Sequence, residues 1–180
     1  MPSAPAGFDA DLGLSRFQAQ LLYNRGIRSA EDAHTFMNPD SDLSHDPGLL
    51  PDIIPAVERL SGALDSGEMI GIFGDFDTDG ITSTALLVRA FSGLGGRVLP
   101  YLPDRVEEGH GLNTDALRRL QESGVTLLVT VDCGSTATDE INFAAELGID
   151  VIVTDHHTIH GTPPSPVAPI NPKTSASQYP

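Results

Sequence analysis

The sequence is poor in basic residues and cysteine and contains no tryptophan. Among its 180 residues, 10 are Lys or Arg and 25 are Asp or Glu, which gives a formal net charge of -15. This charge argues against nonspecific binding of nucleic acid through the overall field of the chain, although it permits a local basic groove. The single cysteine, Cys133, cannot form an intramolecular disulfide. A reducing compartment, and therefore a cytoplasmic location, is favoured.

Long apolar runs are also missing. No segment approaches the roughly 20 apolar residues that cross a bilayer, and residues 1–13 have no apolar centre typical of a signal peptide. We therefore expect no membrane partner. The hydrophobic content of 39% is enough for a core, and the length suits one domain or slightly more.

The chain divides near residue 50. The segments before that point are a loose terminus (1–13), two capped helices (15–23 and 29–38) and a linker rich in Pro, Gly and acidic residues (38–51). The sequence therefore predicts a helical amino-terminal appendage with its linker over residues 1–50 and a separate domain over residues 51–180.

Helix and strand patterns alternate through the second part. The predicted helices are 52–64, 81–94, 113–122 and a last one that starts at Thr136 or Thr138 and ends at Leu147. The predicted strands are 69–73, 98–102, 125–131 and 150–154. The strands are apolar throughout rather than alternating, as expected when both faces of a sheet are buried. The pattern predicts an α/β fold in which a parallel sheet carries helices on both faces, preceded by the short helical segment.

Three of these strands run directly into acidic residues or histidines. Asp75, Asp77 and Asp79 follow the first strand, Asp132 follows the third, and Asp155, His156 and His157 follow the fourth. Ligands of such sheets bind beyond the carboxyl ends of the strands, and neighbouring strands lie about 5 Å apart. We expect the three groups to meet at one edge, where a divalent cation would relieve the repulsion between the carboxylates. Mn²⁺, Mg²⁺, Zn²⁺ and Fe²⁺ suit these donors, and a pair of ions about 3.5–4 Å apart is typical of phosphate-ester hydrolysis.

Each motif taken alone has a simpler explanation. The D-x-D-x-D-G pattern of residues 75–80 could be a Ca²⁺ loop, but such a loop requires a glutamate where this chain has Leu86. Asp132 alone could be a loop or cap residue, and Asp155 with its two histidines could be a surface turn. The occurrence of all three at strand ends favours a metal site.

The chain resembles the DHH phosphoesterase family at these residues. The matching segments are LLYNRGIRSAEDAHTFMNP (21–39), GDFDTDGITSTALL (74–87), LPDRVEEGHGLN (102–113), VTVDCGS (129–135), VTDHH (153–157) and INPKTSASQYP (170–180). The amino-terminal segment and the last two favour the branch of bacterial exonucleases that act on single-stranded DNA. The resemblance implies metal-dependent phosphodiester hydrolysis from the 5′ end of single-stranded DNA, in DNA repair and recombination.

The resemblance also implies roles for individual residues and a pair of Mn²⁺ or Mg²⁺ ions as cofactor. The implied metal ligands, which are also catalytic, are Asp77, Asp79, Asp132 and His156. His157 is implied as a catalytic residue that binds metal or contacts the substrate phosphate, and Arg105 and His110 as further phosphate contacts. Asp155 is expected to orient a histidine from outside the ligand set, and Asp75 either binds metal or holds the loop.

Two features depart from the family pattern. Phe76 and His110 stand where tyrosine is typical. The family also has a fourth motif with a further metal-binding aspartate, a DHHA1-type domain and, in this branch, an OB domain, all beyond residue 180. We therefore expect an amino-terminal part that is weakly active or inactive alone.

Other functions remain open at this point. They are hydrolysis of short oligonucleotides or a cyclic dinucleotide by the same fold, and a non-catalytic binding module. The sequence does not indicate which proteins bind to the chain.

Overall fold

A computed structural model describes residues 2–38, 45–159, 161, 164–175 and 177–179. They belong to two compact units, Met1–Ser44 and His45–Pro180. Residues 39–44 of the predicted linker lie outside the described residues. The division predicted between residues 50 and 51 stays a prediction.

The amino-terminal unit is helical in its described part. Its helices are α1 (Phe8–Leu12), α2 (Arg16–Asn24) and α3 (Ala30–Met37). Ser15 and Ser29 cap α2 and α3 by accepting hydrogen bonds from backbone N–H groups, as their positions predict. The prediction of a loose terminus over residues 1–13 is wrong at α1. Phe8 is buried there, and its ring packs edge-on against Tyr23 with 6.0 Å between centroids, so tertiary contact stabilises a helix too short to form alone.

The second unit is an α/β sheet structure, which confirms the predicted fold class. Its elements, after a 3₁₀ turn at Pro47–Leu49, are α4 (Ile53–Ser66), β1 (Met69–Gly74), α5 (Thr78–Gly93), β2 (Arg97–Tyr101), α6 (Thr114–Glu122), β3 (Val125–Val131), α7 (Thr138–Glu146), β4 (Asp150–Thr154) and β5 (Ala168–Ile170). Every strand pair in the described residues is parallel, in the order β2-β1-β3-β4-β5. Strand β5 was not predicted because its three residues are too few to carry a pattern.

The helices cover both faces of the sheet. Ile70 and Ile72 of β1 are fully buried in one cluster with residues of α4 and α5, whereas Phe73 belongs to the opposite cluster with residues of α6 and α7. This two-sided burial explains why the interior positions of β1, β3 and β4 are mostly apolar. None of the helices in the described ranges is long and apolar enough to span a membrane.

The strand order places a crevice between β1 and β3. The chain leaves β1 towards β2 on one side, and then returns to add β3 on the other side. Adjacent connections diverge at such a switch point, and the crevice that they leave at the carboxyl ends of the strands is the usual ligand site of open α/β sheets. The loops after β1 and β3 are the ones that carry Asp75 to Asp79 and Asp132.

An ion-pair network fastens α4 to the amino-terminal end of the sheet. Arg59 reaches Glu68 at 2.8 Å and Asp150 at 2.7 Å, and Glu68 also accepts a 2.6 Å hydrogen bond from Thr126. The hydrogen bond from Arg59, helped by that from Thr126, lowers the pKa of Glu68 to about 2. An acid whose pKa is lower in the folded state stabilises the fold above its unfolded-state pKa.

We predict that this contribution is complete above pH about 4.5 and disappears as the pH falls towards 2. Urea unfolding of the chain and of Arg59→Met should differ by about 1 kcal/mol at neutral pH, since the pair is only partly buried. The difference should vanish near pH 2. Arg89→Met, at an exposed position of α5, is the control. A difference between the chain and Arg59→Met that is the same at every pH contradicts the assignment to Glu68.

Candidate metal centre

The first acidic loop connects β1 to α5 and is shaped by its own aspartates. Asp77 caps α5, because its Oδ1 accepts a 3.0 Å hydrogen bond from the N–H of Gly80. This bond holds the pKa of Asp77 below its usual value. Asp79 lies in the first turn of the helix and is exposed. The loop therefore presents two carboxylates at the carboxyl edge of the sheet.

Asp132 follows β3 in an unusual backbone conformation. Its φ of 61° lies in the left-handed region, where aspartate is tolerated better than most residues. Its N–H donates to the carbonyl of Thr154, which links the ends of β3 and β4. The side chain is only 4% exposed. Burial, together with the negative charges of Asp79 and Asp77, raises the pKa of Asp132. The charged form of Asp132 is thus poorly solvated, and its hydrogen bond with His156 does not offset the unfavourable free energy of burial.

The two histidines after β4 converge on the same carboxylate. His156 Nε2 lies 2.8 Å from Asp132 Oδ1 and 3.5 Å from Asp79 Oδ2, and His157 Nδ1 lies 3.9 Å from Asp132 Oδ1. Asp132, His156 and His157 each offer a donor atom within 4.8 Å of the others. Two imidazoles and a poorly solvated carboxylate, with Asp77 and Asp79 beside them, are a donor set that fits a divalent cation.

Asp155 holds the histidines from behind. It is 9% exposed and accepts hydrogen bonds from the backbone N–H groups of Ser135, His156 and His157 and from His157 Nδ1 at 2.8 Å. Burial opposes its ionisation, but the bonds from His157 and Ser135 outweigh burial and keep the pKa of Asp155 at about 2. The hydrogen bond between Asp155 and Nδ1 of His157 raises the pKa of His157. This geometry suits the expected orienting role, because a carboxylate behind a ligating histidine fixes its ring.

Asp75, Arg105 and His110 form a second group. His110 Nδ1 lies 3.2 Å from Asp75 Oδ2, its ring lies 4.2 Å from that of Phe76, and Arg105 Cζ lies 5.1 Å from the centre of the Phe76 ring. The structure therefore joins these residues to one another rather than to the histidine pair. His110 and His157 both line a cavity of about 350 Å³ that also contains Asp75 and Asp132.

Two polar residues of this region were not singled out from the sequence. Ser135 and Asn171 are buried, and they are hydrogen-bonded to each other and to the Asp155–His157 segment. Both lie within the motif segments 129–135 and 170–180. Their residue types alone gave no chemical signal, since serine and asparagine occur in most loops.

Comparison with known proteins gives consistent results. A family model described as the DHH family, N-terminal domain, matches residues 69–178. The single-stranded-DNA-specific exonuclease RecJ of Bacillus subtilis is 38% identical over 169 residues, which are 94% of this chain and 22% of that protein. The chain therefore spans less than a quarter of the length of this relative.

Two solved structures agree with the sequence matches. The crystal structure of an exonuclease RecJ bound to manganese has a TM-score of 0.68 and 40% identity over 74% of this chain and 34% of that one. RecJ from Thermus thermophilus in complex with Mn²⁺ has a TM-score of 0.67 and 33% identity over 95% of this chain and 24% of that one.

Proposed function

Because this chain belongs to the DHH family, as its motifs predict, we propose that it is the amino-terminal part of a metal-dependent phosphodiesterase. The proposed substrate is single-stranded DNA, degraded from its 5′ end. The RecJ relatives, which are named as single-stranded-DNA-specific exonucleases, support this choice. The expected setting is cytoplasmic DNA repair and recombination.

One observation carries the proposal. Asp132 is a buried carboxylate at the switch point of the sheet, with Asp79, His156 and His157 directed towards it. Neighbouring carboxylates that oppose one another's ionisation destabilise the fold, but they suit a site where a cation binds. We assign Asp77, Asp79, Asp132 and His156 as the ligands of two Mn²⁺ or Mg²⁺ ions.

The bound ions would offset the charge of the phosphate and lower the pKa of a water molecule that attacks phosphorus. The residues of the chain prepare this step. Asp155 holds the Nδ1 proton of His157, so that His157 presents its ring in one orientation at the phosphate. Asp77, as the cap of α5, keeps its carboxylate at the edge of the sheet.

Arg105 of the second group carries a positive charge in a chain whose formal net charge is -15. We propose that Arg105 and His110 contact DNA phosphates across the cavity from His157. Asp75 contributes by holding His110 at 3.2 Å, which makes a role in the loop more consistent with its contacts than direct metal binding. An exposed guanidinium above the ring of Phe76 remains available for a phosphate.

The test uses the complete protein of which this chain forms part. With Mn²⁺ present, we expect it to shorten long single-stranded DNA from the 5′ end and to leave duplex DNA intact. His157→Ala should lower kcat by roughly 100-fold or more, since the residue contacts the reacting phosphate. His34→Ala, on α3 of the other unit, is the control.

Two results would contradict the proposal. Hydrolysis of short oligonucleotides or of a cyclic dinucleotide, with no digestion of long single strands, would assign the chain to an oligonucleotide or cyclic-dinucleotide phosphodiesterase. Binding of Mn²⁺ without hydrolysis of any of these substrates would indicate a binding module.

A further inference from the structure

A closed ring of hydrogen bonds lies behind His157 and passes through Asn171, the residue after β5. Asn171 is 1% exposed. Its Nδ2 group donates to Ser135 Oγ at 2.8 Å and to the carbonyl of His157 at 3.0 Å. The N–H of Ser135 donates to Asp155 Oδ2 at 2.9 Å, and Asp155 Oδ1 accepts from the N–H and Nδ1 of His157. The ring thus returns to the residue from which it starts.

This ring joins the loops that follow three neighbouring strands. Ser135 belongs to the loop after β3, Asp155 and His157 to the loop after β4, and Asn171 to the segment after β5. Backbone hydrogen bonds between the strands fix the sheet, but the loops beyond it can move independently unless side chains connect them. The side-chain amide of Asn171 makes these connections from a single buried position.

Asparagine is suited to this position by its donors and acceptor. Its amide has two N–H donors and a carbonyl acceptor in one plane. Nδ2 serves Ser135 and His157, and Oδ1 accepts a 2.8 Å hydrogen bond from the N–H of Lys173. Leucine would fill the space but leave these groups unpaired, at about 1–3 kcal/mol for each buried group.

We propose that Asn171 is a positioning residue that fixes the ring orientation and the tautomer of His157. The Asp155 carboxylate accepts a hydrogen bond from Nδ1–H of His157, which leaves the lone pair of the neutral imidazole on Nε2. Asn171 keeps the backbone of His157 at the distance that this bond requires. The orientation is a property of the chain itself, whereas its consequence for a bound metal or phosphate rests on the proposed function.

The test begins with the metal-free chain. Long-range ¹H–¹⁵N NMR of the imidazoles, at a pH above their titration, should show His157 as the Nδ1–H tautomer. In Asn171→Ala we expect a shift towards the Nε2–H form, with hydrogen-exchange protection of the His157 amide lowered at least about tenfold. Ser135→Ala breaks one link of the ring and should give a smaller change of the same sign.

Asn113→Ala is the matched control. Asn113 caps α6 by accepting from the N–H of Ala116, so its loss should lower stability without touching the ring. The His157 signals should then remain those of the unaltered chain. A merely structural role for Asn171 would make the two asparagine variants alike in the NMR spectrum.

Calorimetric titration with Mn²⁺ gives the second measurement. We expect affinity to fall about 10- to 100-fold in Asn171→Ala, as for other residues that orient a ligand. If the unaltered chain binds no Mn²⁺, the proposed metal site fails for this chain while the NMR comparison still decides the role of Asn171. Unchanged His157 signals in both ring variants overturn the proposal. Should Asn171→Ala not fold, Ser135→Ala decides by the same criterion.

Discussion

Asp132→Asn should abolish the stabilisation of this chain by Mn²⁺ without destabilising the metal-free fold. The substitution keeps the shape of the side chain and its Oδ1 acceptor for His156, but it removes a negative charge that lies close to Asp77 and Asp79. Without metal, the variant should be as stable as the unaltered chain or more stable, because a buried charge among like charges opposes folding. A substitution that lowers stability only in the presence of Mn²⁺, and not in the metal-free chain, identifies a metal ligand rather than a structural residue.

The expected magnitudes can be measured by thermal unfolding. A ligand at 100 times its dissociation constant stabilises the folded state by about 2.7 kcal/mol, which corresponds to a rise in Tm of roughly 5–10 °C for a chain of this size. In Asp132→Asn we expect this rise to be absent, with Mn²⁺ affinity lowered at least about 100-fold because an uncompensated charge in a buried pair costs about 3 kcal/mol.

Asp65→Asn is the control for this comparison. It removes one carboxylate from an exposed position of α4 and should keep the full response to Mn²⁺. A Tm of Asp132→Asn that rises with Mn²⁺ as much as that of Asp65→Asn would remove Asp132 from the site. A Tm of the metal-free Asp132→Asn variant below that of the unaltered chain would instead assign Asp132 a structural role.

Gly80→Ala should produce the second large effect, a loss of stability combined with displacement of the acidic loop. A Cβ at Gly80 would lie 2.3 Å from the carbonyl oxygen of Asp75 and 2.4 Å from its backbone nitrogen. Both contacts are with backbone and cannot be relieved by turning a side chain, so the start of α5 must move away from the end of β1. We expect about 3 kcal/mol of destabilisation, or a fall in Tm of roughly 6–12 °C, and weaker Mn²⁺ binding since Asp77 and Asp79 move with the helix.

Gly62→Ala is the matched substitution with the opposite expected sign. Gly62 is an exposed position inside α4, and a Cβ there meets no atom within 4 Å. Alanine in a helix interior is favoured over glycine by about 0.5–1 kcal/mol. Equal changes of Tm in the two variants would mean that the close backbone contact at Gly80 does not hold the loop in place. An unchanged Mn²⁺ affinity in Gly80→Ala would show that metal binding does not depend on the geometry of this loop.

The sequence predicted the sheet well because its strands are short apolar runs separated by helices. Each of the four predicted strands is present within one or two residues of its predicted bounds. The α-helix and the strand that sequence patterns missed in the described residues are α1 and β5. They have five and three residues, and they form because Phe8 packs against Tyr23 and because β4 offers an edge for pairing.

The acidic and histidine residues were visible in the sequence, since each group directly follows an apolar strand. Their mutual distances depend on the strand order, which no local pattern specifies. If β2 lay between β1 and β3, Asp79 and Asp132 would be separated by a further strand spacing of about 5 Å. The observed order instead makes β1, β3 and β4 neighbours and brings His156 within 3.5 Å of both Asp79 and Asp132.

The sequence by itself determined the fold class, the strand ends that carry donor atoms and the family to which the motifs belong. Only the tertiary structure decided the left-handed backbone of Asp132, the pairing of His110 with Asp75 and the ring through Ser135 and Asn171. The physical reason is range. Helix caps and strand periodicity act between residues a few positions apart, whereas a carboxylate is buried by distant elements and the hydrogen-bonded ring is closed by contacts that span 14 to 36 positions.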